Sequence, residues 1–142
     1  MKSLKQLLSA KGNQVYAIAP DAKVIEALQL MARKDVGALV VMEGDKMAGV
    51  ISERDYARKV ILQGRSSHDV PVREIMTSDV VTVDPGRTIE ECMALVTQRR
   101  IRHLPVMEGG KLIGVVSIGD LVKEVIAEQE QTIRQLESYI HS

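Results

Sequence analysis

The chain has 142 residues, enough for one compact domain but too few for two independent ones. Lys plus Arg and Asp plus Glu both number 19, so the formal charge is zero, and no large field favours nucleic acid. The chain has no Trp or Phe and no apolar run near the roughly 20 residues of a membrane span, so we expect a cytoplasmic protein without nucleic-acid or membrane partners.

The first segment of the chain predicts a short helical lead. SLKQLL, within residues 1–14, places leucines on one face. We expect this lead to pack against a part of the protein other than the segment that follows it directly.

Residues 15–62 predict a strand, a helix, two strands and a second helix. QVYAI is a short strand closed by Pro20, which cannot extend a ladder. Apolar residues at helical spacing follow, namely Val24, Ala27, Leu28 and Met31. GALVVME and KMAGVIS flank a Glu-Gly-Asp turn and predict a hairpin, and a helix from Glu53 to Leu62 ends before Gly64.

Residues 80–125 repeat residues 15–60 at an offset of 65 without a gap, after a linker over residues 63–79 that carries a second short helix, VREIM. Identities include Pro20 with Pro85, Gly49 with Gly114 and Asp55 with Asp120. Such a repeat is a unit that cannot bury its apolar face alone, so two copies predict two halves about a pseudo-twofold axis. Cys92 lies at an apolar position of the second repeat, and we interpret it as a packed small hydrophobe rather than a reactive thiol.

Residues 126–142 predict a C-terminal helix. Ile126, Ile133 and Ile140 recur every seven residues with Leu136 between them. Two interpretations stay open, a seam for a partner helix and a final helix that covers its own domain.

One motif recurs at a strand-to-helix junction in both repeats. It reads Gly49-Val50-Ile51-Ser52-Glu53-Arg54-Asp55 in the first repeat and Gly114-Val115-Val116-Ser117-Ile118-Gly119-Asp120 in the second. The serine is placed to cap the helix, and the aspartate three residues later can accept hydrogen bonds from a sugar diol. The same spacing is also typical of an ordinary capping box.

The duplicated unit, with LPVME before GKLIGVVSIGD and ALVVMEGDKMAGVISERD in the first copy, resembles a tandem pair of CBS domains, or Bateman module. The resemblance covers about residues 3 to 125 and is strongest to small stand-alone CBS-pair proteins. It implies an α+β fold of two β-α-β-β-α repeats packed through their sheets, followed by the C-terminal helix. It also implies two ligand clefts between the repeats and a homodimeric disc.

The resemblance implies a complete first cleft. Asp55 would hold the ribose hydroxyls, Ser52 would lie near the ribose and phosphate, and Arg102 and His103 would reach the phosphate. Adenine walls and a third donor would come from Val50, Val80, Val81 and Arg54.

The implied second cleft is weaker. Val115, Ser117 and Asp120 would repeat the ribose and adenine parts, with Val15 and Tyr16 as walls. Gly37 and Ala38 stand at the positions equivalent to Arg102 and His103, so the phosphate clamp is missing. The site would then be empty, would take a ligand poor in negative charge, or would hold phosphate through residues such as Arg99 or Arg100.

The sequence offers no metal-binding cluster, nucleophile elbow or phosphate loop, so we expect no enzymatic activity and no required cofactor. The expected function is a regulatory module that senses AMP, ADP, ATP, NAD(H) or S-adenosylmethionine and modulates an unidentified partner protein. The alternative is a dimeric scaffold protein with vestigial clefts. Binding of RNA through Arg99, Arg100 and Arg102 is a third, weaker interpretation.

Overall fold

The computed structural model describes residues 2–12 and 14–141, so positions 1 and 13 of the expected lead and position 142 of the expected C-terminal helix lie outside the described residues. The chain divides into two compact units. The first-repeat unit contains residues 14–81 and 110–112, and the second-repeat unit contains residues 2–12, 82–109 and 113–141.

The helices and strands follow the order expected for a duplicated strand-helix-strand-strand-helix unit. In chain order they are α1 (Leu4–Lys11), β1 (Ala17–Ile18), α2 (Val24–Lys34), β2 (Ala38–Glu43), β3 (Lys46–Ser52), α3 (Glu53–Tyr56), α4 (Ile89–Arg99), β4 (His103–Glu108), β5 (Lys111–Ser117) and α5 (Ile118–His141). A π-helical turn at Ala57–Ile61 continues α3, and a 3₁₀ turn at Val72–Glu74 precedes the second repeat.

The hairpins form where the sequence predicts them, but the first strand of each repeat is shorter than expected. β1 pairs in parallel with β2 over two residues only, and β2 pairs antiparallel with β3. In the second repeat the corresponding segment makes a single bridge, from Val83 to Val106, beside the β4–β5 sheet. A proline follows two residues after each pairing, at Pro20 and Pro85, and its missing donor ends the ladder.

The two units bury the same core positions at the 65-residue offset. In the first repeat these are Val24, Ala27, Met31, Leu39, Val41 and Ile51, and in the second they are Ile89, Cys92, Val96, Leu104, Val106 and Val116. Their spacing is that of an amphipathic helix packed on a hairpin. Each large side chain of this kind contributes roughly 1.5 to 3 kcal/mol when it leaves water.

Each short helical lead packs in the unit of the repeat that it does not directly precede, as predicted. These leads are α1 and the 3₁₀ turn at Val72–Glu74. Leu4, Leu7 and Leu8 of α1 are buried in the second-repeat unit, whereas Val72 and Ile75 are buried in the first-repeat unit.

Main-chain hydrogen bonds fix the two leads in the same way. Leu4 N donates to Arg87 O at 2.9 Å, and Val72 N donates to Ala22 O at 2.8 Å. Leu4 and Val72 are 68 positions apart, although Ala22 and Arg87 are 65 apart. The first lead therefore has three more residues between its buried contacts and the start of its repeat.

Helix α5 is one continuous element of 24 residues, with no break at the predicted boundary at residue 126. Leu121 is its buried residue, whereas Ile126, Ile133 and Leu136 are 51, 54 and 60% exposed. The apolar seam is therefore not covered by the part of the chain that the structure describes. Within residues 2–12 and 14–141, none of the helices has the length and apolar character needed to cross a bilayer.

Cys92 packs as a small hydrophobe, as the sequence indicates. Its side chain is buried in α4, and burial raises the pKa of its thiol to about 11. Because the thiolate is the reactive species, we expect Cys92 in the native protein to react with a disulfide reagent near pH 8 only as fast as the protein opens. Labelling that is equally fast in native buffer and in urea would contradict this prediction, and the C92A variant supplies the blank.

Candidate functional site

The motif of the first repeat forms a capping box at the junction of β3 and α3. Asp55 N donates to Ser52 Oγ at 3.2 Å. In return Asp55 Oδ2 accepts from Ser52 N at 2.9 Å and from Ser52 Oγ at 3.0 Å. The serine hydroxyl is thus engaged within the cap, and the carboxylate is fixed on the first turn of the helix, where the helix dipole favours a negative charge.

The other carboxylate oxygen of Asp55 faces two further donors. Lys59 Nζ lies 3.0 Å from Asp55 Oδ1, and Thr77 Oγ1 donates to the same oxygen at 3.4 Å. Lys59 Nζ also donates to Ile75 O at 2.9 Å. The Asp55 side chain is 13% exposed, whereas the Lys59 side chain is 44% exposed and Thr77 lies at the surface.

Glycine at position 49 allows the linker to reach the edge of β3. Thr77 N donates to Val50 O at 2.8 Å, and Val50 N donates to Thr77 O at 3.0 Å. A Cβ atom at Gly49 would lie 2.6 Å from Thr77 O, closer than the two atoms can approach. In this repeat the glycine therefore admits the main chain of the linker.

The motif of the second repeat has the same cap but a different cation. Asp120 N donates to Ser117 Oγ at 3.1 Å, and Ser117 N donates to Asp120 Oδ2 at 2.9 Å. Lys11, at the end of α1, places its Nζ 2.5 Å from Asp120 Oδ2 and 2.8 Å from Val115 O. Burial alone would raise the pKa of Asp120, but the hydrogen bonds from Lys11 and Ser117 outweigh it and hold this pKa below its ordinary value.

His103 belongs to the same electrostatic environment as Asp120. Burial lowers the pKa of its imidazole below 6.5, and the charges of Lys11 and Arg102 lower it further, while Asp120 opposes them. His103 is therefore neutral at pH 7 in the protein alone. Burial thus moves the pH range in which this imidazole gains a charge downward.

The predicted site residues are divided between the two units. Val15, Tyr16, Val50, Ser52, Arg54, Asp55, Val80 and Val81 lie in the first-repeat unit, and Arg102, His103, Val115, Ser117 and Asp120 lie in the second-repeat unit. The five valines and Tyr16 are half-buried, and the Arg54 and Arg102 side chains are exposed. Tyr16 packs against the core of its own unit and carries Lys34 Nζ 5.4 Å from its ring centre.

The sequence analysis did not predict three residues that lie beside the motif aspartates, namely Lys59, Lys11 and Thr77. Lys59 could have been predicted, because a lysine four residues after an aspartate on a helix can reach it. Lys11 and Thr77 could not, because only the packing of the leads brings them to the motifs.

The duplicated motif, the strand-helix-hairpin-helix units and the exchanged leads define a CBS-pair protein, and the comparison with known proteins agrees. The model of the CBS domain matches residues 11–62 and 72–127, so the chain belongs to the CBS-domain family.

Relatives and solved structures support the same assignment. The chain is 42% identical over 137 residues to the mitochondrial CBS domain-containing protein CBSX3 of Arabidopsis thaliana, covering 93% of this chain and 66% of the relative. It is 34% identical to YhcV of Bacillus subtilis, covering 85% of this chain and 84% of YhcV.

Among solved structures, a CBS-domain protein from Burkholderia ambifaria matches with a TM-score of 0.87 and 53% identity, covering 90% of this chain and 96% of that one. CBS-pair proteins are regulatory modules that often bind adenosyl ligands, and both relatives are named as CBS domain-containing proteins.

Proposed function

We propose that this chain is a non-enzymatic regulatory module that binds an adenine nucleotide or a related adenosyl ligand at the motif of Asp55. The candidate ligands are AMP, ADP, ATP, NAD(H) and S-adenosylmethionine. The observation that supports the proposal is the half-buried Asp55 carboxylate, held by Ser52 on a helical first turn with Lys59 beside it. A carboxylate in such a position can accept two hydrogen bonds from a ribose diol.

The ligand would replace the weaker donors of Asp55. Thr77 Oγ1 lies 3.4 Å from the carboxylate, a long hydrogen bond that a ribose hydroxyl can exchange at little cost. Ser52 N stays bound to Asp55 Oδ2, so the carboxylate keeps its orientation. Val50, Val80 and Val81, all half-buried, are the proposed apolar contacts of the base, and Arg102 and His103 the proposed phosphate contacts.

Regulation also requires that the ligand favours one of two conformations and that a partner distinguishes them. We propose a homodimer as the functional assembly and a separate protein as the regulated partner. A CBS-CP12 protein from bloom-forming cyanobacteria, 30% identical to this chain, is hexameric, so assembly of CBS pairs has precedent.

Isothermal titration calorimetry of the full chain tests the proposal. We expect wild-type protein to bind at least one of the five ligands, and D55N to lose the tighter binding event by at least about tenfold, because a charge-assisted hydrogen bond is worth about 1.5 to 3 kcal/mol. D45N is the matched control, since Asp45 is an exposed residue of the β2–β3 turn. The absence of heat for every ligand at millimolar concentration would refute the proposal, as would equal affinities of D55N and wild type.

A further inference from the structure

The second half of helix α5 lies outside the matched CBS domains and outside the core. The match ends at residue 127, and every residue from 129 to 141 is exposed. An isolated helix of about 12 to 15 residues is marginal in water, and most helical stability in proteins comes from packing of an apolar face. We therefore expect a surface other than the described chain to pack on this half of α5.

The apolar residues of α5 have the spacing of a coiled coil, in which one face recurs about every 3.5 residues. The α5 seam consists of Val122, Ile126, Gln129, Ile133, Leu136 and Ile140. The exposed fraction of its apolar members rises from 40% at Val122 to 77% at Ile140. A helix that covered its own domain would bury such residues, so of the two interpretations left open by the sequence, the seam for a partner helix fits residues 129–141.

The other faces of this segment are suited to water. The positions between the seam residues include Glu128, Gln131, Arg134, Gln135 and Ser138. All of them are polar, so the apolar surface is confined to one narrow stripe. A narrow stripe of this kind fits one or a few similar helices rather than a flat protein surface.

The seam is compatible with a second copy of itself. In heptad notation Ile126, Ile133 and Ile140 occupy the a positions and Leu136 a d position. Isoleucine at a and leucine at d favour a parallel pair of two helices. Such a pair would bring together identical residues at each level of the seam.

Gln129, the polar residue of the seam, distinguishes the two orientations. In a parallel pair it faces Gln129 of the partner subunit, and the two amides can exchange hydrogen bonds because each has donors and an acceptor. In an antiparallel pair a d residue faces an a residue, and the a positions at 126, 133 and 140 are all isoleucine. Both amides would then be buried without a partner, which is costly.

The charges beside the seam also permit a parallel pair. In that orientation Glu130 and Glu137, at e positions, face residues at g positions of the other helix. Those residues are Val125 and Thr132, which carry no charge. Like charges are therefore not brought into opposition along the seam.

We infer that the α5 seams of two copies pair as a parallel two-stranded coiled coil, in which Gln129 sets the orientation. The inference specifies an interface for the homodimer of the proposed function, and it does not depend on the ligand. Most of this interface lies beyond residue 127, where the matched CBS domains end.

Reversible disulfide exchange of the full chain in a glutathione buffer tests the pairing. Leu136 lies in the seam, whereas Ser138 lies on the opposite face of the helix, so L136C and S138C are a matched pair. We expect L136C to form at least about tenfold more disulfide-linked dimer than S138C, because the seam raises the effective concentration of its thiols. Wild-type protein, whose Cys92 is buried, is the blank.

A charge in the seam should separate the helices. We expect L136C/I133D to form at least about tenfold less dimer than L136C, because pairing would bury an uncompensated carboxylate. L136C/Q131D carries the same charge outside the seam and should cross-link like L136C. Ile133 is exposed in a single copy, so I133D should leave the thermal unfolding of the two units unchanged.

A mixture of I126C and L136C tests the orientation, because these two positions meet only in an antiparallel pair. We expect little mixed disulfide, and more of it when both chains also carry Q129L, which removes the polar residue. A mixed disulfide as abundant as the L136C dimer, or no effect of Q129L, would contradict the role of Gln129.

The outcomes separate this inference from the ligand proposal. Equal cross-linking of L136C and S138C, or no loss in L136C/I133D, would refute the coiled coil even if calorimetry detects a ligand. Selective cross-linking of L136C without heat from any adenosyl ligand would refute the ligand proposal and leave the coiled coil standing.

Discussion

The G49A variant should be less stable than the wild-type protein by about 1 to 3 kcal/mol, the range of a side chain forced into a filled space. The added Cβ would lie 2.6 Å from Thr77 O, a main-chain atom that accepts from Val50 N, while Thr77 N donates to Val50 O. Either the linker or β3 must shift, and two hydrogen bonds weaken. Urea unfolding followed by circular dichroism measures the loss.

The duplicated chain supplies a matched control at Gly114. There the added Cβ would meet Leu8 Cδ2 at 2.8 Å, the end of a side chain, which can shift by a small rotation more easily than a hydrogen-bonded main-chain atom. G114A should therefore lose less stability than G49A. A larger loss in G114A, or no loss in G49A, would show that the close approach of Thr77 is not what position 49 requires.

The R102A variant should bind a phosphorylated ligand about 10 to 100 times more weakly than wild type, if Arg102 chelates the phosphate as proposed. Arg102 O accepts from Ile118 N at 2.8 Å, which fixes its main chain beside the start of α5. The exposed guanidinium makes no ion pair with another of the residues that the structure describes, so it is free to bind an anion. Calorimetry with AMP measures the change, and R102K should be impaired as well because lysine cannot chelate with two donors.

R99A is the control variant for this prediction. Arg99 belongs to the same basic run but lies in the last turn of α4, so R99A should bind AMP like wild type. Equal losses in R99A and R102A would indicate diffuse attraction instead of a phosphate contact.

The affinity for AMP should also depend on pH. A bound phosphate should raise the lowered pKa of His103, so the complex takes up a proton and the affinity should rise as the pH falls from about 8 to about 6.

Local signals in the sequence were sufficient to predict the hairpins and the helices. The turns at Gly44 and Gly109 each separate two neighbouring apolar runs, which predicts an antiparallel pair of strands. The spacing of the apolar residues from Val24 to Met31 predicts a helix. The strand before Pro20 was predicted too long because its pairing depends on how β2 is placed, which is a tertiary property. The π-helical turn after α3 was not predicted, because residues 57–61 have the same apolar spacing as an ordinary helix.

The motif aspartates could be predicted, but their surroundings could not. Ser52 and Asp55 interact over three residues, so their spacing alone defines the cap. Lys11 and Asp120 are 109 positions apart, and their contact exists because α1 packs in the second-repeat unit. The sequence predicts that α1 packs away from the first repeat, but it does not predict which side chain of α1 reaches Asp120.

Helix α5 connects the motif of Asp120 to a distant surface through one continuous helix. Asp120 lies in its first turn, and the end of the helix at residue 141 is about 30 Å further along the axis. A tilt of about 6° at the base would move this tip by about 3 Å, given that length. Ile133, Leu136 and Ile140 are exposed near this tip, so a small rotation of α5 about the position of Asp120 would displace an apolar surface far from the motif.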